Sequence, residues 1–226
     1  MAYLDSDDNY KFAWFKQYAI KNYLPHLENK EKSSAKILEI GCNKGYLLKV
    51  FLDSGFEQLF GIDLSQDDIA KAKFLNPKAK FECVDAFAYL DNESNTFDVV
   101  ILKAVLEHIP KDEVMPLLKK INASLNIGGI IIVDVPNMDW LFASHERYMD
   151  FTHEVGFTKE SLGQLFRAVF AESEVLSIDN YISSSFIHRI KQQIGRFCLG
   201  KLLSWADPEG ASNPIWCRSI VGVGHK

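Results

Sequence analysis

The sequence contains few cysteines and no long apolar run. Cys42, Cys83, Cys198 and Cys217 form no CxxC pair and show no paired spacing, so we interpret them as buried, reduced thiols. No apolar run approaches the roughly 18 residues needed to span a bilayer. The acidic N-terminal segment also lacks the apolar core of a secretory signal. These absences predict a cytoplasmic protein without a transmembrane segment or a disulfide framework.

The sequence also has no excess of positive charge. Its 25 lysines and arginines stand against 30 aspartates and glutamates, a net charge of −5, which argues against a general nucleic-acid-binding protein. Hydrophobic residues make up 47% of the chain and charged residues 24%, and this composition excludes a disordered, collagen-like or disulfide-dense protein. A chain of 226 residues can bury a substantial core without help from a metal ion.

Short apolar runs alternate with helical segments along most of the chain. The runs predict strands at residues 37–40, 59–63, 81–84, 97–102, 130–135, 173–178 and near 216–223. Periodicity and capping residues predict helices at residues 9–30, 46–54, 65–74, 111–125 and 159–170. We expect Gly128 and Gly129 to end the fourth of these helices. The alternation is typical of βαβ units and predicts a doubly wound, Rossmann-like α/β fold.

Two later segments break this alternation. Residues 137–157 are aromatic and polar without clear periodicity, which predicts a long loop or a small cap. Residues 186–205 carry four lysines and arginines and no acidic residue. We interpret this second segment as a solvated helix that packs its isoleucine face on the sheet. Contact with a membrane surface or with an anionic acceptor is the alternative.

The most informative segment is a glycine-bearing turn, EIGCNKG (residues 39–45), at the end of the first predicted strand. Closely spaced glycines at such a turn allow the backbone to approach a ligand. Asp63 ends the next strand, where a carboxylate can accept hydrogen bonds from two ribose hydroxyls. A nicotinamide site requires a small residue where Tyr46 stands, and a P-loop requires a GK[ST] sequence that does not follow. Neither site is therefore expected.

These motifs resemble those of the class I S-adenosylmethionine-dependent methyltransferases. The nucleotide motif of that family is E/D-x-G-x-G-x-G, which ILEIGCNKGYLL matches except that Asn43 replaces the middle glycine. Asparagine tolerates a left-handed backbone, so we expect the turn to be retained. The resemblance continues through FGIDLS, VDAF, FDVVILKAVLEHIP and SLNIGGIIIVDVPN, and it covers about residues 35–137.

The resemblance implies a seven-stranded, mostly parallel sheet with an antiparallel last strand. We expect a single methyltransferase domain over residues 1–226, in which an N-terminal helical segment (1–34) precedes the cofactor-binding half (35–136). The remainder (137–226) would contain a cap, the acceptor region and the last strands. Within it, we expect residues 137–157 and 180–214 to lie over the cofactor cleft.

The resemblance also implies where the methionine part of S-adenosyl-L-methionine is bound. Gly41, Cys42 and Gly45 would form the loop against it, and Glu39 would lie near its amino group. Tyr46, directly after the loop, is included among the expected cofactor-binding residues. The alternative for Glu39, as for each acidic residue assigned to the cofactor, is a helix cap or a solvated turn.

The nucleoside part is implied to lie beside the next two strand ends. Asp63 would hold the ribose, and Leu64 would lie beside the adenine. Asp85 would accept a hydrogen bond from the adenine amino group. Ala86 or Phe87 would stack on the adenine or donate from the backbone.

The end of the fourth predicted strand is implied to face the sulfonium, where Lys103 and Ala104 would line the cleft. His108 follows within LEHIP, a stretch that shapes the cofactor pocket in the broad family, so we favour a structural role for it. The histidines are scattered and no ligand spacing repeats a known pattern. No metal ion is therefore expected.

The acceptor is expected at the loop after the fifth strand, because open α/β folds bind ligands at this edge of the sheet. The segment RYMDFTHEVGFTKESLGQLF resembles methyltransferases of bacterial surface-polysaccharide biosynthesis, which implies O-methylation of a sugar-like group. An imidazole suits proton removal, so His153 is the first candidate for the base, with His145 and Asp150 behind it. A histidine that caps a helix or binds loop carbonyls is the alternative. The expected acceptor contacts are Trp140, Arg147 and Tyr148.

Other acceptor classes fit the sequence less well. No [DNS]PP[YFW] motif follows the fourth strand, which disfavours methylation of base amino groups. No cysteine lies at this position either, which disfavours covalent attack on cytosine C5. We therefore expect a small-molecule acceptor and no nucleic acid. A carboxylate, a phosphate-linked group or a lipid-linked precursor stays open, as does the oligomeric state. A non-catalytic cofactor-binding module is the second class of function.

Overall fold

The computed structural model describes residues 6–91, 93, 96–178, 186–206 and 216–226. The strands are β1 Lys36–Ile40, β2 Gln58–Asp63, β3 Lys80–Cys83, β4 Phe97–Lys103, β5 Leu125–Pro136, β6 Glu172–Ile178 and β7 Ser219–His225. The helices are α1 Ser6–Asn22, α2 Tyr46–Asp53, α3 Gln66–Leu75, α4 Ala86–Leu90, α5 Lys111–Ser124, α6 Ala143–Tyr148, α7 Lys159–Val169 and α8 Phe186–Ala206. Short 3₁₀ helices cover Leu24–Leu27 and Leu106–His108.

The seven strands form one sheet in the order β3-β2-β1-β4-β5-β7-β6. Strands β1 to β5 pair in parallel, and β7 runs antiparallel between β5 and β6. The predicted fold class is confirmed, including the antiparallel last strand. Strands β2 and β3 lie on one side of β1, and β4 and β5 lie on its other side. The strand order therefore reverses between β1 and β4. Such a switch point opens a crevice at the carboxyl ends of the two strands.

Several predicted boundaries differ from the structure. Residues 125–129 belong to β5, whereas the sequence predicted that Gly128 and Gly129 would end the preceding helix. Helix α5 ends before them, and Gly128 adopts a φ of 76° within β5, beside a register shift against β4. The predicted helix over 9–30 ends at Asn22, and α4 and α6 were not predicted. Both are short, so neither produces a clear periodic pattern.

Helices cover both faces of the sheet. One core packs α1, α2 and α3 against strand residues such as Ile37, Val99 and Ile132. The other packs α4, α5 and α7 against residues of the opposite orientation, such as Leu38 and Val100. The alternation of side chains along each strand separates the two cores.

The isoleucine face of α8 does not pack on the sheet, so that expectation was wrong. Ile187, Ile190 and Ile194 are between 40% and 66% exposed. The physical reason is that the helices of the two cores already cover both faces of the sheet. The expected cap over 180–214 lies partly outside the described residues, at 179–185 and 207–215. No helix within the described ranges is long and apolar enough to cross a bilayer.

A buried carboxylate attaches the N-terminal helix to the centre of the sheet. Asp134 on β5 accepts hydrogen bonds at Oδ2 from the hydroxyls of Tyr18 (2.6 Å) and Tyr23 (2.5 Å). The ammonium of Lys103, at the end of β4, lies 3.6 Å from the same oxygen. Burial, followed by the charge of Asp134, raises the pKa of both tyrosines. The two hydroxyls therefore stay protonated and act as donors.

Replacement of Tyr23 by phenylalanine tests this attachment. The variant removes one donor to a buried carboxylate, and a hydrogen bond to a charged group contributes about 1.5–3 kcal/mol. We expect urea unfolding to show a loss of that size. Tyr148→Phe is the matched control, since the Tyr148 side chain is exposed and its loss of a hydroxyl should leave stability unchanged. Equal stability of the two variants would show that the network does not hold α1.

Candidate active site

A cleft of about 600 Å³ opens at the switch point between β1 and β4. Its lining includes eight of the predicted cofactor residues: Glu39, Gly41, Cys42, Tyr46, Asp63, Leu64, Lys103 and Ala104. It also includes residues that had no predicted contact with a ligand: Phe15, Asn43, Lys44, Leu47, Val105, His108 and Ile109. A second cavity, of about 670 Å³, lies between α5 and α7. None of its described lining residues belongs to the glycine-bearing turn.

The turn after β1 is built from left-handed backbone positions. Gly41 and Gly45 both have a φ of 72°, and Asn43 has a φ of 47°, which confirms the expectation for the asparagine. A side chain at Gly41 would overlap the side chain of Val105. The loop therefore lies directly against the chain that leaves β4. Gly45 does not line the cleft itself but precedes α2 as its N-cap.

Asp63 holds this turn in place from the end of β2. Its Oδ2 accepts a hydrogen bond from the backbone N–H of Asn43 at 2.8 Å, and its Oδ1 accepts one from Ser65 at 2.9 Å. Each carboxylate oxygen has about two acceptor sites. Because the side chain is only half-buried and lines the cleft, Asp63 can accept two further hydrogen bonds from a ligand.

Glu39 places a buried carboxylate in the wall of the cleft. The residue is 4% exposed, and its Oε2 has no hydrogen-bond partner within the described part of the chain. Burial raises the pKa of Glu39 well above its usual range, and the nearby ammonium of Lys103 lowers it in part. An oxygen in this state suits a cationic donor, such as the amino group of an amino acid.

The segment after β3 lies outside the cleft lining. Asp85 is exposed and caps α4, since its Oδ1 accepts hydrogen bonds from the backbone N–H groups of Phe87 (2.8 Å) and Ala88 (3.2 Å). Ala86 and Phe87 are half-buried at the start of the same helix. The structure thus brings Asp63 and Leu64 to the cleft but not the predicted adenine contacts Asp85, Ala86 and Phe87.

The chain leaves β4 through a strained residue. Ala104 has a φ of 53°, a conformation that is costly for a residue with a side chain. Its backbone N–H donates to the carbonyl of Asp134 at 2.8 Å. This turn directs the next residues across the cleft, and it places His108 in the cleft wall.

The acceptor loop reaches the cleft through a pair of histidines. The rings of His108 and His153 contact each other edge to face, with 4.7 Å between their centres. His108 Nδ1 lies 2.9 Å from Thr152 Oγ1, and that hydroxyl donates to Asp150 Oδ1 at 2.7 Å. The same threonine lowers the pKa of Asp150 through its hydrogen bonds. Sequence reasoning missed the place of His108 at this pair, because the contact joins distant segments.

Backbone hydrogen bonds hold the loop in this position. The carbonyl of Glu107 accepts from the N–H groups of Glu154 (2.8 Å) and Val155 (3.1 Å). Arg147 donates to the carbonyls of His153 (2.5 Å) and Glu154 (3.2 Å). Arg147 was predicted to contact the acceptor. In the structure its guanidinium instead stabilises the loop that carries His153.

The other predicted acceptor residues lie further out. His145 and Tyr148 are exposed on α6. Trp140 is half-buried and packs against the guanidinium of Arg218, 5.3 Å from its ring centre. None of these three lines the cleft, and the structure does not bring them together with His153.

Burial also changes the chemistry of the residue beside the histidine pair. Glu107 is 2% exposed, and burial raises its pKa to about 7. Its Oε2 has no hydrogen-bond partner within the residues that the structure describes. Two buried carboxylates thus have an oxygen without a hydrogen-bond partner among the described residues: Glu39 in the cleft wall, and Glu107, which precedes the cleft residue His108.

Residues 12–174 match a protein family described as "Methyltransferase domain". The chain belongs to this methyltransferase family. The mRNA cap guanine-N(7) methyltransferase of Schizosaccharomyces pombe is 27% identical over 139 residues, which cover 56% of this chain. The chain spans only 38% of the length of that curated relative.

Solved structures show the same fold as this chain. A SAM-dependent methyltransferase from Archaeoglobus fulgidus superposes with a TM-score of 0.71 at 20% identity, over 95% of this chain and 94% of the other. Phosphoethanolamine N-methyltransferase 2 of Haemonchus contortus, in complex with S-adenosylhomocysteine, gives 0.63 at 18% identity, over 96% of this chain and 53% of the other. The family and the fold confirm the prediction of S-adenosyl-L-methionine as the cofactor.

Replacement of Asp63 by alanine is expected to weaken cofactor binding. The carboxylate holds Asn43 and offers acceptors to the ribose, and hydrogen bonds to a charged acceptor are each worth about 1.5–3 kcal/mol. Titration calorimetry with S-adenosylhomocysteine should show at least a roughly tenfold loss of affinity. Asp85→Ala is the control, since that carboxylate caps α4 outside the cleft lining. Affinity of Asp63→Ala within twofold of wild type would make Asp63 a turn residue only.

Glu39→Gln should change stability in opposite directions without and with the cofactor. The raised pKa of Glu39 means that the folded protein binds this proton more tightly than the unfolded chain does. The unfolding free energy of the protein therefore falls as the pH rises above about 4.5, the ordinary pKa of a glutamate. Without cofactor, the variant should gain stability relative to wild type in urea unfolding as the pH rises above about 4.5.

Saturating S-adenosylhomocysteine should reverse that order at neutral pH, because only the wild-type carboxylate can pair with the amino group of the ligand. If the stability of Glu39→Gln relative to wild type does not increase as the pH rises, burial does not raise the pKa of Glu39. A variant that binds the ligand as tightly as wild type would remove Glu39 from the cofactor site.

Proposed function

We propose that this methyltransferase transfers the methyl group of S-adenosyl-L-methionine to a hydroxyl of a small, polar, sugar-like acceptor. The observation that carries this proposal is the cleft itself, which is lined by the glycine-bearing turn and by His108. The ring of His108 contacts that of His153 on the acceptor loop. A transfer site requires both a cofactor wall and an acceptor loop, since the acceptor oxygen must lie within about 3–3.5 Å of the methyl carbon. A non-catalytic cofactor-binding module would not require the acceptor loop.

The cofactor would bind along the wall formed by β1 and β2. Gly41 and Cys42 would face its methionine part, and the unpartnered oxygen of Glu39 would accept from its amino group. Asp63 would accept from the ribose hydroxyls, and the exposed side chain of Leu64 would cover the adenine. The methyl group would then face Lys103, Ala104 and His108 across the cleft.

The acceptor would enter from the side of residues 140–151. Phe142, Tyr148 and Phe151 are exposed there, and exposed aromatic faces can stack on a sugar ring. In the transfer, the acceptor oxygen forms a bond to the methyl carbon while the carbon–sulfur bond breaks. The electron pair of that bond stays on sulfur, so the charge of the sulfonium is neutralised. The proton of the hydroxyl must leave, and His153 would support its removal.

The proposal of a sugar-like acceptor rests on these aromatic side chains and on residues 147–166, which resemble methyltransferases of surface-polysaccharide biosynthesis. A curated relative acts on an mRNA cap, and the net charge of −5 favours a small molecule over RNA here. A screen of nucleotide sugars with radiolabelled cofactor, with capped and uncapped RNA beside them, tests the acceptor class. Label transferred to RNA and not to any sugar would overturn the proposal.

His153→Ala is expected to lower turnover by about 10²–10⁴-fold, the usual effect of a positioned acid or base. Binding of S-adenosylhomocysteine should be unchanged, because the cofactor wall lies on β1 and β2. His145→Ala serves as the matched control, since that side chain is exposed on α6, whereas His153 is the histidine whose ring contacts His108. Loss of activity in His145→Ala alone would move the role to His145. Full activity in both variants would leave the loop with a positioning role.

A further inference from the structure

Three ligand-type side chains meet beside the cofactor cleft. One ligand atom of Glu107, one of His108 and one of His153 all lie within 4.8 Å of one another. The carboxylate comes from the 3₁₀ helix after β4 and the second imidazole from the loop after α6. The backbone hydrogen bonds from Glu154 and Val155 to the carbonyl of Glu107 fix this juxtaposition.

The orientation of both imidazoles is set by their Nδ1 atoms. His153 Nδ1 lies 2.9 Å from the carbonyl of Glu146, which can only accept, so this nitrogen carries the proton. Thr152 Oγ1 donates its proton to Asp150 and therefore accepts from His108 Nδ1. In both rings, Nε2 is left with a lone pair. Among the described residues, neither Nε2 has a hydrogen-bond partner.

This arrangement matches the outer shell of a metal site. Metal-binding histidines donate their second N–H to a carbonyl, a carboxylate or another fixed acceptor, which orients the ring and sets its tautomer. Both histidines do so here. The carboxylate of Glu107 adds an oxygen that is buried and has no partner among the described residues.

The surrounding charges also suit a cation. The charged groups that act on Glu107 are Asp134, Asp150 and Lys103. Asp134 is paired with Lys103 at 3.6 Å, so Glu107 and Asp150 remain as uncompensated acidic groups near the two rings. A divalent ion would balance them.

We propose that Glu107, His108 and His153 bind a divalent first-row transition-metal ion beside the cofactor cleft. Two imidazole nitrogens and one carboxylate oxygen suit Zn²⁺ or Mn²⁺ better than Ca²⁺, which prefers oxygen ligands alone. The ligand atoms need small side-chain rotations to lie at the usual distance of about 2.0–2.2 Å from one ion. The sequence did not show this site because its ligands come from two distant segments.

Three protein ligands leave coordination positions open, as in catalytic metal sites. A hydroxyl of the acceptor could occupy one of them, and its proton would then be lost more easily to water. This part of the proposal depends on the methyl transfer proposed above. On that basis, His153 would support proton removal by holding the ion, and the binding of the ion can be tested without any acceptor.

The test uses untagged, full-length protein dialysed against a chelator. Calorimetric titration with Mn²⁺ should show one equivalent per chain, and added Co²⁺ should develop visible absorption bands from nitrogen ligands. His153→Ala and Glu107→Gln should each lower Mn²⁺ affinity by at least about tenfold. Thr152→Val, which keeps all three ligands but removes the acceptor for His108, should lower it by about 10–100-fold.

His225→Ala is the control, since His225 lies at the exposed end of β7 and should bind Mn²⁺ like wild type. Circular dichroism and S-adenosylhomocysteine binding show whether each variant is folded, and if Glu107→Gln is unfolded, His153→Ala carries the comparison. Absence of saturable Mn²⁺ and Co²⁺ binding, or equal binding by wild type and His153→Ala, would overturn the metal site. Such a result with intact S-adenosylhomocysteine binding would leave the proposed methyl transfer standing.

Discussion

The burial of Asp134 is the constraint on which the rest of the site depends. A carboxylate buried near the carboxyl end of a central strand is costly unless its oxygens are hydrogen-bonded. Tyr18 and Tyr23 supply those hydrogen bonds, and Lys103 supplies the opposite charge. As a result, the N-terminal helix is held against the sheet, and Phe15 on it becomes part of the cleft wall. The backbone carbonyl of Asp134 also holds the strained turn at Ala104.

Close packing of two turns shapes the cofactor end of the cleft. The turn after β1 requires left-handed backbone at Gly41, Asn43 and Gly45, and the turn after β4 requires it at Ala104. The two turns touch through Gly41 and Val105, where there is no room for a further side chain. Strain at non-glycine positions persists only where surrounding contacts maintain it. Here Asp63 maintains it on one side and Asp134 on the other.

The acceptor end is built differently, because loops and side chains carry it rather than strand ends. Its order comes from hydrogen bonds to backbone carbonyls, from Arg147 and from the N–H groups of Glu154 and Val155. Of the exposed aromatic residues there, Phe142 packs edge to face against Trp140, and the guanidinium of Arg147 lies over the ring of Tyr148. The cofactor wall is thus built from strand ends and their turns, whereas the acceptor side is built from a loop that hydrogen bonds attach to Glu107 and Arg147.

Much of the fold and of the cofactor wall followed from the sequence alone, since these depend on local patterns. Apolar runs located all seven strands. The glycine-bearing turn and Asp63 located the cleft, because the carboxyl ends of neighbouring parallel strands meet at one edge of the sheet, and the resemblance implied the place of Glu39. The left-handed conformation of Asn43 was equally predictable from its residue type. A helix cap was the alternative expectation for Asp85, and the structure contains that cap.

Tertiary structure alone decided the contacts between distant segments. The exposure of the isoleucine face of α8 depends on which helices already cover the sheet, which no single segment specifies. The network of Asp134, Tyr18 and Tyr23 and the meeting of His108 with His153 join residues far apart in the chain. Sequence periodicity describes one element at a time, and such pairs form only when the sheet order brings their elements together.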